Sequence, residues 1–227
     1  LSFSSLIFVF RRISLRFAPH IVEYAGERVF GIDSSPRSVK ISKAINLIAG
    51  DGKTNIYELN SLESDKWDET GKAGFRNMLT RFDDPIKDDE NQKLFRYFDF
   101  DLVLTNPPFA GNINEKDILK QYTLAEKNGK TVAKIGRDIL FIEKCLNFLR
   151  PGGRMAIILP QGRLNNSSDL PIRNFILDKA RLLAVVGLDV NTFKPHTGTK
   201  TSVLFLQKYT DDELANINNI LNVSQAS

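Results

Sequence analysis

The sequence predicts a doubly wound α/β domain in which helices cover a mostly parallel sheet. Short apolar runs alternate with stretches of helical periodicity, as in successive strand–helix–strand units. A chain of 227 residues, of which 42% are hydrophobic, can bury one sizeable core. We therefore expect one main domain over residues 29–210, preceded by an atypical segment 1–28 and followed by a polar helical tail at 211–227.

The first half of the domain contains three apolar runs of strand length. They are residues 29–33, 55–59 and 100–105. After the first run, Ser34 or Ser35 can cap a helix over residues 36–47, whose first position is a proline. The polar stretch 63–91 has many charges and few apolar residues, so we expect a solvated excursion of loop and short helix.

The second half begins with a strongly amphipathic helix predicted over residues 135–149. Proline and glycine at 151–153 end it, because proline cannot continue a helix and glycine tolerates positive φ. Further apolar or periodic runs predict a strand at 154–159, a helix at 171–179 and strands at 182–188 and 202–207. The last two strands have no helix between them and are expected to form an antiparallel pair at one sheet edge.

Composition excludes some classes of protein and only weakly favours others. The net charge of +4 and the pI near 9.1 would suit a polyanionic partner, although many proteins without such a partner have similar values. The apolar run 6–10 is far shorter than the roughly 20 residues of a membrane helix, so no membrane segment is predicted. The single cysteine, Cys145, lies in a predicted helix, where it is expected to be a packing residue. A chain with one cysteine cannot form an internal disulfide, and this composition suits the cytoplasm. No metal site is predicted.

One predicted strand ends in a motif with clear chemical potential. Residues 100–105 run directly into Asn106-Pro107-Pro108-Phe109, and ligands of open α/β sheets bind at the carboxyl ends of strands. From the residues alone, this motif is also compatible with a simple turn after a strand. It resembles the catalytic loop of methyltransferases that act on exocyclic amino groups, notably N6 of adenine.

The resemblance implies a role for each residue of this loop. The side-chain oxygen of Asn106 and the carbonyl oxygen of Pro107 would accept the two amino hydrogens, and Phe109 would stack on a base flipped out of the duplex. Pro107 and Pro108 would stiffen the loop. The attacking nitrogen loses its proton after methyl transfer, so no strong base is required and His196 is not included in the site.

The resemblance also implies that Asn106 contacts the cofactor, and two further segments resemble cofactor-binding motifs of the same family. Ile32 and Asp33, at the end of a strand, resemble the motif whose carboxylate binds the ribose hydroxyls of S-adenosylmethionine. Asn60 and Ser61 resemble the motif beside the cofactor adenine, with an asparagine where the family usually has an aspartate. The residues by themselves leave simpler interpretations open, namely a turn or N-cap role for Asp33 and an ordinary loop position for Asn60.

The ordered set of motifs over residues 29–208 resembles the modification subunit of type I restriction-modification systems. The segments 150–160 and 187–205 carry the scaffold part of this likeness. It implies a Rossmann-like methyltransferase domain, double-stranded DNA as substrate, and specificity and restriction subunits as partners. A set of basic residues near the predicted carboxyl edge either neutralises DNA phosphates or is simply solvated: Arg163, Lys194, Lys200 and Lys208.

One family feature is absent from the sequence. Members carry a glycine-rich loop of the form Asp-Pro-x-x-Gly-x-Gly before the first clear strand, and this chain has arginines after its apolar run 6–10. We therefore expect an amino-terminally truncated or altered member. Two alternatives stay open: a methyltransferase for another planar amine or amide, such as a protein glutamine or an RNA base, and a non-catalytic remnant that binds partners or DNA.

Overall fold

The computed structural model describes residues 7–10, 26–48 and 55–226, and these residues form eleven strands in chain order. Segments 1–6, 11–25 and 49–54, which include part of the predicted amino-terminal segment, lie outside the described residues. The strands are Ile7–Phe10 (β1), Val29–Asp33 (β2), Asn55–Glu58 (β3), Phe100–Thr105 (β4), Asn112–Ile113 (β5), Glu126–Lys127 (β6), Lys130–Thr131 (β7), Ile135–Gly136 (β8), Leu149–Pro160 (β9), Ala180–Gly187 (β10) and Thr201–Lys208 (β11).

Eight α-helices accompany these strands in the described part of the chain. They are Pro36–Ile48 (α1), Glu69–Phe75 (α2), Pro85–Leu94 (α3), Lys116–Leu119 (α4), Arg137–Phe148 (α5), Gly162–Asn165 (α6), Leu170–Lys179 (α7) and Asp211–Ala226 (α8). The predicted helices near 36, 137 and 171 are confirmed, and the tail forms a longer helix than expected. Among the described helices, none has the length and apolar character required to cross a membrane.

Seven strands form one sheet in the order β10-β11-β9-β4-β1-β2-β3. Strand β2 pairs with β3 in parallel, and so does β4 with β9. Strand β11 is antiparallel to both β9 and β10, which confirms the predicted antiparallel pair at one edge. Strand β9 begins five residues earlier than expected, at Leu149, because Leu149 already pairs with Phe100. The pairing register shifts between Phe100 and Leu102, and Gly152, with φ of 76°, lies in the extra residues of β9 at this bulge.

Strand β1 lies in the middle of the sheet and is antiparallel to both neighbours, β2 and β4. Ile7 and Val9 are completely buried, as a central position demands. The expected mostly parallel sheet is therefore interrupted at its centre. The apolar pattern of this segment is compatible with either direction, because alternation of side chains specifies which face is buried and carries no information on strand polarity.

The main core lies on one face of the sheet and is rich in aromatic rings. Phe75 contacts Phe30, Trp67 and Phe98 with ring centroids 5.1–6.1 Å apart. Trp67 and Phe75 belong to the polar stretch 63–91, so the expectation of a solvated excursion is wrong for this part. A few large rings anchor the stretch, and their buried area outweighs their small number.

The opposite face of the sheet is only partly covered. The strand registers place Gly31, Phe8, Leu104, Ala156 and Phe205 in one row across this face. Leu104 and Phe205 in that row are 37% and 39% exposed. The row crosses β4 at Leu104, one residue before the carboxyl end of the strand, so apolar surface lies next to the loop that follows β4.

Candidate active site

The carboxyl ends of β2 and β4 bring two predicted site residues to one edge of the sheet. Ile32, Ile7 and Thr105 are paired in one row, and Asp33 and Asn106 each follow directly beyond that row. The width of β1 separates them, which is about 10 Å for two strand spacings. The amino end of β1 thus lies between the two polar residues, where ligands of open α/β sheets bind.

The side chain of Asn106 holds an unused hydrogen-bond acceptor. Its Oδ1 atom is buried, and no described group donates a hydrogen bond to it. The following Pro107 and Pro108 are buried, while Phe109 is half-buried. An unsatisfied buried acceptor costs on the order of 1–3 kcal/mol, so this geometry favours a bound donor. The prolines restrict the backbone and keep the amide in place.

An aromatic partner lies beside this loop. The rings of Phe109 and Phe193 are in edge-to-face contact, with centroids 5.3 Å apart and an angle of 81° between the planes. Phe193 belongs to the connection between β10 and β11. From the sequence this connection is interpreted as scaffold and Phe193 is not predicted as a site residue, although a large aromatic residue in a polar loop is a signal that could have identified it.

A shallow groove of about 440 Å³ adjoins Asn106 on the partly covered face. Phe8, Leu104, Ile158 and Val203 contribute its apolar walls, and Asn106 provides a polar group at its rim. Apolar walls with a few polar groups are the usual make-up of a small-molecule or base pocket. The groove therefore extends the site from the loop onto the sheet.

The other predicted cofactor residues make local contacts. Asp33 is completely buried, and its Oδ1 accepts a hydrogen bond from the Ser35 backbone N–H at 2.7 Å. Ser35 caps α1, because its Oγ accepts the N–H of Ser38 at 3.4 Å. These contacts support the turn interpretation of Asp33. Its role in binding a cofactor stays a prediction, as does that of Ile32, whose side chain belongs to the core.

Asn60 caps the short 3₁₀ helix Ser61–Lys66 that follows β3. Its Oδ1 accepts the Leu62 N–H at 3.1 Å, and its Nδ2 donates to Glu63 Oε2 at 2.7 Å. A carbonyl oxygen has two lone pairs, so the amide can still accept one more hydrogen bond. Ser61 is buried beside it. Contact of either residue with a cofactor stays a prediction.

The structure separates the four basic residues that were considered for phosphate binding. Arg163 donates two hydrogen bonds, of 2.7 and 3.1 Å, to the carboxylate of Asp138 and one to that of Asp169. Asp138 lies on α5 and is only 1% exposed. These hydrogen bonds and charges raise the pKa of Arg163. Its guanidinium is thus committed to an internal ion pair, and the phosphate interpretation is wrong for it.

Lys208 is also unsuitable for phosphate binding, because it lies at the opposite edge of the sheet. Its Nζ donates to the carbonyl oxygens of Leu146 and Leu149 at 2.9 and 2.6 Å, and burial lowers its pKa to about 8. Lys194 and Lys200 remain exposed in the loop before β11. No group of three potential metal ligands occurs among the described residues.

Several known proteins with similar sequences are methylase subunits of bacterial type I restriction enzymes. The methylase subunit of the type I restriction enzyme EcoEI from Escherichia coli is 32% identical over 109 residues, which cover 48% of this chain and 21% of that protein. The EcoKI methylase subunit from Escherichia coli K12 is 30% identical over 110 residues, covering 48% of this chain and 19% of that protein. These matches span about a fifth of the relatives' length.

Solved structures confirm the predicted fold. A modification subunit of a type I restriction enzyme from Vibrio vulnificus superposes with a TM-score of 0.59 at 22% identity, over 93% of this chain and 44% of that one. A class I S-adenosylmethionine-dependent methyltransferase from Listeria monocytogenes gives a TM-score of 0.54 at 17% identity, over 80% of this chain and 44% of that one. The fold is thus the Rossmann-like fold of class I methyltransferases. The family model described as N-6 DNA Methylase matches residues 16–226, and the chain therefore belongs to the N-6 DNA methylase family.

Proposed function

We propose that this chain is the catalytic part of an adenine-specific DNA methyltransferase that transfers a methyl group from S-adenosylmethionine to N6 of a flipped adenine in double-stranded DNA. The observation that carries the proposal is the buried, unsatisfied Oδ1 of Asn106 at the carboxyl end of β4. Membership of the family and the following Pro107-Pro108-Phe109 support the same reaction.

The chemistry explains why two acceptors are needed at this position. The lone pair of an aromatic amino group is delocalised into the ring, which makes the nitrogen a poor nucleophile. Asn106 Oδ1 and the carbonyl oxygen of Pro107 would each accept one amino hydrogen and direct the lone pair towards the methyl group. The nitrogen would then form the new N–C bond as the sulfur–methyl bond of the cofactor breaks and S-adenosylhomocysteine leaves. It would afterwards release one of its protons to water, so a strong base is not required.

Phe109 and Phe193 offer the aromatic surfaces that an unstacked base requires. A base that leaves the duplex loses stacking energy, and a side-chain ring restores part of it. Because the two rings meet edge to face, both can line the space that an unstacked base would occupy, one with its face and the other with its edge. We propose that Phe109 stacks on the adenine and that Phe193 orients Phe109.

The residues at the carboxyl edge suit S-adenosylmethionine, since a carboxylate, Asp33, and an amide, Asn60, lie at the ends of β2 and β3 on the same edge as Asn106. Asp33 would hold the ribose hydroxyls, while Asn60, Ser61 and the main chain of Ile32 would contact the adenine end. When bound, this cofactor supplies an electrophilic methyl group. Asn106 would orient the amino nitrogen that receives it.

A second candidate function is that of a non-catalytic member that binds DNA or partner subunits. The direction of β1 favours it, because the amino end of this strand, and not its carboxyl end, faces the edge that carries Asp33 and Asn106.

Calorimetric titration with S-adenosylmethionine tests the cofactor part of the proposal. We expect binding by the wild-type chain and weaker binding by Asp33→Asn, which removes the charge but keeps an acceptor for the Ser35 N–H. Glu90→Gln, an exposed change on α3 away from this edge, is the matched control. Absence of binding by the wild-type chain would favour the non-catalytic candidate.

Transfer of labelled methyl groups to duplex DNA tests the reaction itself. Asn106→Ala is expected to lower the rate on the order of 10²–10³-fold, as found when one stabilising hydrogen-bond partner of a reacting group is removed. The variant should still bind S-adenosylmethionine, because Asp33, Asn60 and Ser61 are unchanged. Transfer to RNA or protein but not to DNA would contradict the substrate assignment.

We also propose a specificity subunit and a restriction subunit as partners and the cytoplasm as the location. The relatives named above are methylase subunits of type I restriction enzymes, which supports this assembly. Co-elution of the chain with a type I specificity subunit in gel filtration is the expected result. Methylation of DNA without sequence preference by the isolated chain would contradict a need for that subunit.

A further inference from the structure

A short hairpin projects from the segment that follows the catalytic loop. Strands β6 and β7 pair as Glu126↔Thr131 and Lys127↔Lys130, joined by Asn128 and Gly129. Both turn residues have positive φ, 53° and 71°, as in the tight turns that suit the twist of β-hairpins. The pairing and the turn give the hairpin a defined shape. Every residue from 126 to 131 is exposed.

The base of the hairpin is firmly anchored. The buried carboxylate of Glu143 accepts the backbone N–H groups of Thr123 and Leu124, both at 2.9 Å, and Tyr122 Oη donates to the Leu62 carbonyl at 3.0 Å. Val132 N–H donates to the carbonyl oxygen of the buried Ala125 at 2.8 Å. These contacts make the hairpin a fixed projection of the domain.

The hairpin and the residues that follow it carry a local excess of positive charge. We define residues 126–137 as the basic segment; it contains Lys127, Lys130, Lys134 and Arg137 against one acidic residue, Glu126. This is an excess of three positive charges in a chain whose net charge is +4. Among the described residues, none of these four cations forms an ion pair within 4.0 Å.

The arrangement of these charges is unfavourable in the absence of a partner. Lys127 and Lys130 are directly opposite each other across the hairpin, and like charges in this position destabilise a strand pair. The Nε atom of Arg137 is buried and makes no hydrogen bond to any group in the described ranges. An anion between or beside these groups would relieve both features.

The basic segment returns to the protein beside the proposed catalytic loop. Asn112 and Ile113 pair with Gly136 and Ile135, and Arg137 N–H donates to the Gly111 carbonyl at 3.0 Å. Gly111 is only two residues beyond Phe109. A partner that reaches the catalytic loop would therefore pass close to Arg137 and the hairpin.

We propose that the basic segment binds the phosphate backbone of the duplex DNA that enters the site. This inference rests on the proposed DNA substrate and adds the surface that holds it. Phosphates match the observations because they provide several anions at regular spacing, whereas one carboxylate could satisfy only one cation. Contacts of this kind position a duplex without reading its sequence, so sequence choice is left to other parts of the assembly.

The test compares the affinity of a fluorescent 30-base-pair duplex for three forms of the chain over a series of salt concentrations. The first is the wild type and the second, which we call the hairpin variant, is Lys127→Gln/Lys130→Gln/Lys134→Gln. The matched control replaces three exposed lysines elsewhere, Lys40→Gln/Lys43→Gln/Lys87→Gln, with the same change of charge.

We expect the hairpin variant to reduce the slope of log affinity against log salt by about 2–3, since each lost phosphate contact contributes about 0.9. Affinity in 0.1 M salt should fall on the order of 10²-fold, and the control should resemble the wild type. S-adenosylmethionine binding by the hairpin variant should equal that of the wild type.

Several outcomes would overturn the inference. They are an unchanged slope in the hairpin variant, an equal loss in the control, and absence of duplex binding by the wild-type chain at low salt. Loss of association with a specificity subunit, with DNA affinity retained, would assign the surface to a protein partner instead. Failure of the proposed reaction would be distinguishable from failure of this inference. In that case Asn106→Ala would leave methyl transfer unchanged, while the salt slopes would still be as expected.

Discussion

Replacement of Lys144 by methionine should change how the stability of the fold depends on pH. Lys144 is 3% exposed on α5; its Nζ donates to Ser64 Oγ at 2.7 Å and lies 5.0 Å from the centre of the Phe148 ring. Burial, and next the charge of Arg96, lower the pKa of Lys144 from 10.5 to about 7. The folded state therefore disfavours the charged amine that the unfolded state retains.

The sign of the effect follows from proton binding. Between about pH 7 and 10.5 the unfolded chain holds a proton on Lys144 that the folded chain has released, so stability rises with pH in this window and is lost as pH falls towards 7. One such proton contributes up to about 1.4 kcal/mol per pH unit. From pH 7 to 9 the wild-type chain should gain about 2 kcal/mol that Lys144→Met does not gain.

Urea unfolding at pH 6, 7, 8 and 9 measures this difference. We expect the methionine variant to have its largest advantage over the wild type at pH 6, with the advantage shrinking as pH rises. Lys43→Met, an exposed change on α1, serves as the control and should follow the wild-type dependence. A constant difference between wild type and Lys144→Met from pH 7 to 9 would refute the reasoning.

Other predictions concern the surroundings of the site and the core. Arg163→Met leaves a buried carboxylate without its partner and should lower the free energy of unfolding in urea by about 3 kcal/mol, while the exposed Arg154→Met should change it by less than about 0.5 kcal/mol. Phe193→Ala should lower kcat/KM for methyl transfer by about tenfold through loss of an aromatic contact, with Phe193→Tyr close to wild type; equal rates would contradict its role. Burial raises the pKa of Cys145 to about 12, so iodoacetamide should label this thiol only after unfolding.

The fold was predictable wherever local chemistry determines where an element begins or ends. Prolines after Thr105 end β4 at the expected residue, and Ser35 caps α1 as one of two proposed residues. The core contribution of residues 63–91 was not predictable from charge content, because Trp67 and Phe75 are few in number but large in buried area. Average polarity of a stretch thus says little about its anchoring residues.

The candidate site was predictable only in its linear part. Asn106-Pro107-Pro108-Phe109 is contiguous, so a resemblance could identify it and the structure places it at the expected sheet edge. The contact between Phe109 and Phe193 joins residues 84 positions apart, and no periodic pattern connects them. The commitment of Arg163 to Asp138 is likewise a tertiary contact, which a count of basic residues cannot detect.

The direction of β1 cannot be predicted from the apolar pattern of the sequence, although the geometry of the site depends on it. A parallel strand at this position would bring its following loop to the edge between Asp33 and Asn106, where a cofactor is expected. The antiparallel β1 brings its amino end there, while Phe10 pairs with Val29 and Leu102 at the opposite edge. Both arrangements bury Ile7 and Val9 equally well, so the core does not discriminate between them. Cofactor binding does discriminate, because it depends on which end of β1 faces the edge that carries Asp33 and Asn106.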